Sequence, residues 1–321
     1  MWPADVPRRI MPLQTGRAED SLFGAAGVGQ ATRERSGTEG SSLYSLVSSN
    51  CVAWPRFALA GGRRFTPISL MAPASPVVSI VIATYNAGLL LQGCIDSLLS
   101  QEPGIAELLV IDGGSTDATL DVIRRNSAAI AHWQSSPDAG IADAWNKGLD
   151  RVRGRWVLFM GADDRFADPD VLARFNPVLA ASSDRLAVFG KVLLRGGPWD
   201  GYMLGEPWRW KKFRLRMTIP HQGAFHSRRL FQAYGRFDTT MKMAADYELL
   251  LRPGPALDPL FVDDVVSEMG GTGASISSPR LTFREARDAQ LRLRVAPAAL
   301  IHSFHLYTSA RSMLQRLRVR A

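Results

Sequence analysis

The 321-residue sequence predicts an α/β protein, a mostly parallel sheet flanked by helices in a single catalytic domain, on three observations. Near-continuous apolar runs of strand length recur at VVSIVIA (77–83), ELLVID (107–112) and WVLFM (156–160). Apolar residues at helical spacing separate them, which is the pattern of parallel strands buried on both faces and joined by crossover helices. Each run also stops at a small polar cluster, Thr84-Tyr85-Asn86, Asp112-Gly113-Gly114-Ser115-Thr116-Asp117 and Gly161-Ala162-Asp163-Asp164. In open parallel sheets, ligands bind at the carboxyl ends of the strands.

The elements follow in order. Residues 1–74 are rich in Gly, Ser, Ala and Arg without a period of 2 or 3.6, and read as a disordered N-terminal extension. Met71, just before APASP and the first strand signal, is a candidate translation start with a dispensable leader upstream. The domain is expected over 75–279. Leu89, Leu90, Leu91, Cys94, Ile95, Leu98 and Leu99 mark a first helix, and the Ser, Thr and Asp of GGSTD cap the entry to ATLDVIRR. A short segment around 130–133 leads to a helix carrying Ile141, Ala144, Trp145, Leu149 and Val152. Beyond Pro169 come a helix near 169–180, a strand-like LAVFGKVLL (186–194), a Trp- and Arg-rich loop (198–216), then PHQGAFHSRRLFQAYGRFD and AADYELLLR. Residues 280–321 alternate Arg with apolar residues and predict a basic helical C-terminal segment.

The net charge of +8 suggests nucleic acid until it is divided by region. Residues 1–70 carry +3 and residues 280–321 carry +7, which leaves 71–279 at −2. A slightly acidic core argues against a basic nucleic-acid-binding protein, and no nucleic-acid partner is expected. Two cysteines, Cys51 and Cys94, make no disulfide framework and no metal-ligand pair, and no run reaches the ~18 apolar residues of a membrane span. A cytoplasmic protein, at the inner face of a membrane through its basic end, is the expected location.

Asp163-Asp164 is the most informative pair. Two adjacent carboxylates on a turn after a buried strand are costly unless a cation lies between them, and Mg²⁺ or Mn²⁺ uses one or two carboxylates together with substrate phosphates. A solvated loop with an Asp cap is the bland alternative. A Tyr at a strand end can stack on a base, and glycines after Asp112 let a ligand approach backbone N–H groups. Asp138 and Asp143 flank a Gly-containing helix start where either caps or contacts a ligand, and Lys147 neutralises phosphate or is an exposed helix charge. Trp199, Trp208 and Trp210 offer either a sugar-stacking surface or core packing.

As an ordered set, SIVIATYNAG, ELLVIDGGSTDAT, SSPDAGIADAWNKGLDRVRG and WVLFMGADD resemble family 2 glycosyltransferases of the GT-A fold, in particular bacterial enzymes of exopolysaccharide and lipopolysaccharide synthesis. The resemblance spans about Val77 to Gly270. It implies an inverting, metal-dependent transfer from a nucleoside diphosphate sugar to a glycan or lipid-linked acceptor in cell-surface polysaccharide synthesis. It further implies that Thr84, Tyr85, Asn86, Asp112, Asp143, Lys147 and Asp163 contact the donor. Asp164, with Asp163, would bind Mn²⁺ or Mg²⁺, and Asp246 would be the catalytic base, with Glu248 as its rival. His221 and Gln222 would meet the diphosphate or acceptor. Many members carry an acid where this chain has Gly113, so UDP is favoured rather than fixed. The competing readings are a nucleotide-binding module of the same fold without catalysis and the nucleic-acid binder. Residues 280–321 either contact anionic lipid through their arginines or form a solvated basic helix packed on the domain.

Overall fold

The structure is a computed structural model that describes residues 76–270 and 278–320, without the side chains of Pro198 and 312–320. The disordered extension, the Met71 start and Cys51 lie outside the described residues. Nine strands form one mixed sheet: β1 (Val78–Thr84), β2 (Ala106–Asp112), β3 (His132–Ser135), β4 (Trp156–Gly161), β5 (Arg165–Phe166), β6 (Ala187–Arg195), β7 (Met203–Leu204), β8 (Ala224–Ser227) and β9 (Leu260–Gly270), in the order β3-β2-β1-β4-β8-β6-β9-β5 with β7 on β6. The first four strands are mutually parallel, and β8 runs antiparallel to both β4 and β6. The helices are α1 (Leu91–Leu99), α2 (Thr119–Arg125), α3 (Ile141–Leu149), α4 (Val171–Ala181), α5 (Trp210–Phe213), α6 (Arg228–Tyr234), α7 (Ala245–Leu251), α8 (Pro279–Arg292) and α9 (Ala298–Arg320).

The continuous apolar runs are explained by burial on both faces. Ile80, Ile82, Leu108, Val110, Leu158 and Met160 enter one core with α1, α2 and α4, while Val81, Leu109, Ile111, Val157 and Phe159 enter a second core under α3, α7 and α8. Register then brings the strand ends together. Thr84 pairs with Asp112, Asp112 with Ser135, and Ala83 with Gly161, so the three polar clusters emerge along one edge.

Several strands differ from or extend the sequence expectation, among them the two-residue β5 and β7, the latter inside the stretch expected as a loop. The 130–133 segment leads into β3, whose alternating half-exposed residues fit an edge strand rather than a buried run. β8 lies inside PHQGAFHSRR, too short to show a period. β9 follows β6 with register shifts around Lys191, opposite Asp263 and Asp264, which interrupt its apolar alternation. Those two acids are held from outside, Asp263 by Lys191 and Asp264 by Arg174 at 2.7 Å.

Residues 279–311 are packed on the domain. Thr282, Ala286, Ala289 and Gln290 of α8 are buried. Gln290 Nε2 donates to the carbonyls of Arg214 (3.1 Å) and Leu215 (2.9 Å) and to Tyr247 Oη (2.9 Å), and Gln290 Oε1 pairs with His305 Nε2 at 2.7 Å. Among the described residues no helix is long and apolar enough to cross a membrane.

Candidate active site

A cleft of about 470 Å³ opens at the carboxyl ends of β1 and β4, and Thr84, Tyr85, Asp163, Asp164, His221, Gln222 and Asp246 all line it. Residues 160 positions apart in sequence are thus placed on one cavity by the register of the sheet and the start of α7.

The loops on the donor side are built by side chains that satisfy backbone groups. Asp112 is fully buried, and its Oδ2 accepts from Gly114 N (3.1 Å), Ser115 N (2.9 Å) and Ser135 Oγ (2.6 Å), while Ser115 Oγ donates to Oδ1. Asp112 thus shapes the glycine loop from beneath it. Asn86, with a left-handed φ of 48°, receives Thr116 N on its Oδ1 (2.9 Å) and sends its own N–H to Ser115 Oγ (2.8 Å), which joins the first loop to the second. Asp143 accepts from Ala139 N (3.1 Å) and pairs with Lys147 (3.3 Å), whose Nζ donates to Pro137 O (3.0 Å). Asn86, Asp143 and Lys147 do not line the cleft. Their polar groups hold the loops that border it.

The groups that do face the cleft are left wanting partners. Thr84 Oγ1, Asp164 Oδ1, Thr218 Oγ1 and both ring nitrogens of His221 are buried without a hydrogen bond. A buried polar group without a partner costs about 1–3 kcal/mol, so a cluster of them along a cavity marks where a ligand would supply the missing bonds. Asp164 is 1% exposed. Burial first, and then the neighbouring Asp163, push its carboxyl well above the usual range, and the Gly161 amide on Oδ2 (2.6 Å) only partly offsets this. Nearby Gly270 and Gln222 temper the rise without completing a bond to Oδ1.

This pair fits a hard cation. An orphaned, desolvated carboxylate oxygen beside a second carboxylate is relieved by a divalent ion, but among the described residues no three His, Cys, Asp or Glu side chains cluster as a complete metal site. The remaining ligands would have to be water and phosphate oxygens, as Mg²⁺ and Mn²⁺ commonly take them.

On the far side of the sheet order, Asp246 lies in the first turn of α7, half-buried, with Oδ1 accepting from Tyr247 N at 2.8 Å. Burial raises its pKa, with the Tyr247 amide opposing, which makes it a better proton acceptor. Glu248 is removed as a rival. It is buried in ion pairs with Arg252 (2.5 Å) and Arg292 (2.8 Å) and faces away from the cavity lining. The segment before Asp246 is fixed by Glu285 of α8, whose Oε2 accepts from Lys242 N (3.1 Å), Met243 N (2.8 Å) and Ala244 N (3.1 Å). His221 stacks on Phe159 (5.3 Å) and beside Trp145 (4.5 Å), and burial brings its pKa to about 3, so it is a neutral imidazole.

Arg216, Lys242 and Glu285 escaped the sequence reading, since their loops and the α8 contact show no period. Among the tryptophans, Trp208 and Trp210 pack on Phe213 (4.9 and 6.4 Å), and Trp199, 208 and 210 do not line the cavity.

The model of "Glycosyl transferase family 2" matches residues 79–236. A PGL/p-HBAD biosynthesis glycosyltransferase of Mycobacterium bovis is 32% identical over 232 residues, covering 69% of this chain and 89% of the relative. The chain belongs to glycosyl transferase family 2. Among solved structures, Staphylococcus aureus TarS 1–349 in complex with UDP-GlcNAc superposes with a TM-score of 0.55 at 17% identity, covering 73% of this chain and 72% of that one. The mannosyltransferase PcManGT of Pyrobaculum calidifontis, in complex with GDP-Man and Mn²⁺, gives 0.50 at 20% identity over 78% and 82%. The fold of this family 2 member is thus the GT-A fold.

Proposed function

We propose that the protein transfers a sugar from a nucleoside diphosphate sugar, UDP-linked by preference, to a hydroxyl of a glycan or lipid-linked acceptor in cell-surface polysaccharide synthesis, with inversion at the anomeric carbon. The observation that carries this is the convergence of Asp163, Asp164 and Asp246 on one cleft bordered by Thr84 and Tyr85. That structural neighbours were solved with UDP-GlcNAc, or with GDP-Man and Mn²⁺, supports the donor class and the cation.

Asp164 and Asp163 would hold the Mn²⁺ or Mg²⁺, which when bound supplies Lewis-acid stabilisation of the departing diphosphate. Thr84 and Tyr85 orient the nucleotide at the β1 end. Neutral His221, with Gln222 beside it, offers an N–H to a diphosphate or acceptor oxygen, and Lys242 brings positive charge to the cavity wall, where Arg216 is paired with Glu206 at 3.1 Å. Asp246 takes the acceptor hydroxyl proton as the oxygen attacks, and its raised pKa brings it nearer the working pH of a general base. A single displacement of this kind inverts the anomeric carbon.

Cytoplasmic location with peripheral membrane contact belongs to the same reading, supported by Leu306 (74% exposed) and Tyr307 (60%) on α9 and by the basic end. Sedimentation with anionic vesicles should weaken on deleting residues 306–321, and unchanged sedimentation refutes the contact. The enzymatic reading is tested with a panel of nucleotide sugars in Mn²⁺ or Mg²⁺. Metal-dependent hydrolysis or transfer from one donor is expected, and no binding of any donor overturns it.

A further inference from the structure

Tyr85 and Asp138 converge on one point above the backbone of Gly113. A side-chain carbon built on Gly113 would stand 2.7 Å from Asp138 Oδ2 and 3.4 Å from Tyr85 Cδ2. Gly113, unlike Gly114 at φ +85°, has no left-handed backbone, so the occupant of its side-chain space, rather than strain, is what keeps this position bare. Asp138 Oδ1 accepts from Gly140 N at 2.9 Å, which fixes the carboxylate in the turn before α3. Among the described residues none donates to Oδ2. The neighbouring carboxylate of Asp112 is fully buried, with both oxygens engaged. Tyr85 is 64% exposed at the mouth of the cleft, a large aromatic face without a cover.

An exposed ring beside one acceptor oxygen on a bare backbone step is suited to a flat heterocycle that stacks and donates once from its edge. We infer that Asp138 selects the nucleobase, its Oδ2 accepting the imide N–H of a uracil stacked on Tyr85. This rests on the nucleotide-sugar reading above. Cytosine places an acceptor nitrogen where uracil places the imide donor and would face the carboxylate with like polarity. Guanine offers two adjacent donors, whereas Oδ1 is already engaged by Gly140.

The experiment is calorimetric titration of the full chain with UDP, CDP and GDP in Mn²⁺ or Mg²⁺, with melting temperatures to verify folding. The unmodified chain should favour UDP by about tenfold or more, the scale of one hydrogen bond to a charged group. Asp138→Ala should lose about that much UDP affinity together with the preference. Asp138→Asn, which keeps an oxygen for the Gly140 amide, should lose the preference too and covers the case that the alanine variant fails to fold. Gly113→Asp alone should weaken UDP, since it meets the resident carboxylate, whereas Gly113→Asp combined with Asp138→Ala should restore it by placing a carboxylate at the same point. Unchanged UDP affinity and preference in both Asp138 variants overturns the inference, as does a preference of the unmodified chain for CDP or GDP. Failure of all three nucleotides to bind the unmodified chain overturns the nucleotide-sugar reading itself, and this inference with it.

Discussion

The two halves of the cleft are made in opposite ways. On the β1–β4 side the loops are closed by their own side chains: Asp112 takes bonds from both amides and both serines around it, Asn86 ties one strand end to the next, and Asp117 receives Gly88 N and Thr119 N at 3.0 Å each. On the β8–α8 side, His221 and His226 are buried together at 5.1 Å with three of their four ring nitrogens unpartnered, and Asp246 is held by a helix from the far end of the chain. The first half is a pre-shaped cradle tied by bonds between neighbouring strand-end loops, with Thr84 Oγ1 and Asp164 Oδ1 left open within it. The second adds the open nitrogens of two buried histidines and depends on a helix more than 40 residues away along the chain; unsatisfied polarity of this kind is the usual signature of a place where substrate completes the structure.

The comparison breaks most sharply at the two carboxylates. Asp246→Asn should lower turnover by about 10²–10⁴-fold, the range of general base catalysis, while leaving donor affinity within a few-fold. Asp164→Asn should abolish metal-dependent donor binding. The same change relieves a buried charge, so the unliganded Asp164→Asn protein should melt higher than the parent, by an amount equivalent to about 1–2 kcal/mol. Calorimetry, initial rates and thermal unfolding separate the two. Equal loss of donor binding in both variants would show that Asp246 belongs to the donor side.

Glu285 probes whether the second half needs its distant helix. Glu285→Ala removes the acceptor for three successive amides before α7, and turnover should fall about tenfold or more with donor affinity retained, because Asp246 loses its fixed start. Glu285→Gln, which keeps one carbonyl oxygen, should recover part of the rate. A uniform loss in both variants, tracking a fall in melting temperature, would reduce Glu285 to a general packing role.

The same contrast explains what was legible in the sequence. β1, β2 and β4 are buried on both faces and so write themselves as VSIVIAT, AELLVID and WVLFMG, and because register aligns their ends, Thr84, Tyr85, Asp163 and Asp164 could be placed at one edge before any coordinates. Asp112 is located by the same logic, although the pattern marks a strand end without showing which way its side chain turns. β3, β8 and β9 were blurred by half-exposure, shortness and the acidic interruption at Asp263-Asp264. Glu285 carries no local signal at all: its role exists only through α8 meeting the entry to α7, some 40 residues away along the chain. Basic charge concentrated in 280–321 drew attention to solvent and lipid, whereas Gln290 and His305 show part of that segment working inward.

Acid should loosen the histidine-bearing half. Burial holds the pKa of His221 and of His226 at about 3, against an ordinary 6.5. Between those values the unfolded chain binds protons that the folded one refuses, so the contribution of each histidine to stability is complete above pH 6.5 and declines as pH falls through the window. The slope is about 1.4 kcal/mol per pH unit for each group at its steepest. The carboxyls of Asp164 and Asp246 have raised pKa values and work in the opposite sense, so the informative quantity is a difference. His226→Phe should flatten the fall in urea midpoint between pH 7 and pH 5 relative to the parent. Parallel curves would mean that His226 is hydrated and protonates freely.

The smallest effect is expected at Lys147, where a sequence reading centred on charge would have placed a large one. Its ammonium is engaged by Pro137 O at 3.0 Å and Asp143 at 3.3 Å and does not reach the cavity lining. A partly exposed i,i+4 pair of this kind contributes about 0.3–0.5 kcal/mol. Lys147→Met should therefore change kcat/KM by less than about threefold and the melting temperature by a degree or two. Steady-state rates over a range of donor concentrations decide the point, for a tenfold rise in donor KM would mean that the loop opens and Lys147 turns to the diphosphate. In that case the pre-shaped cradle of the β1–β4 half would itself move on binding, and the contrast between the two halves would hold only for the unliganded enzyme.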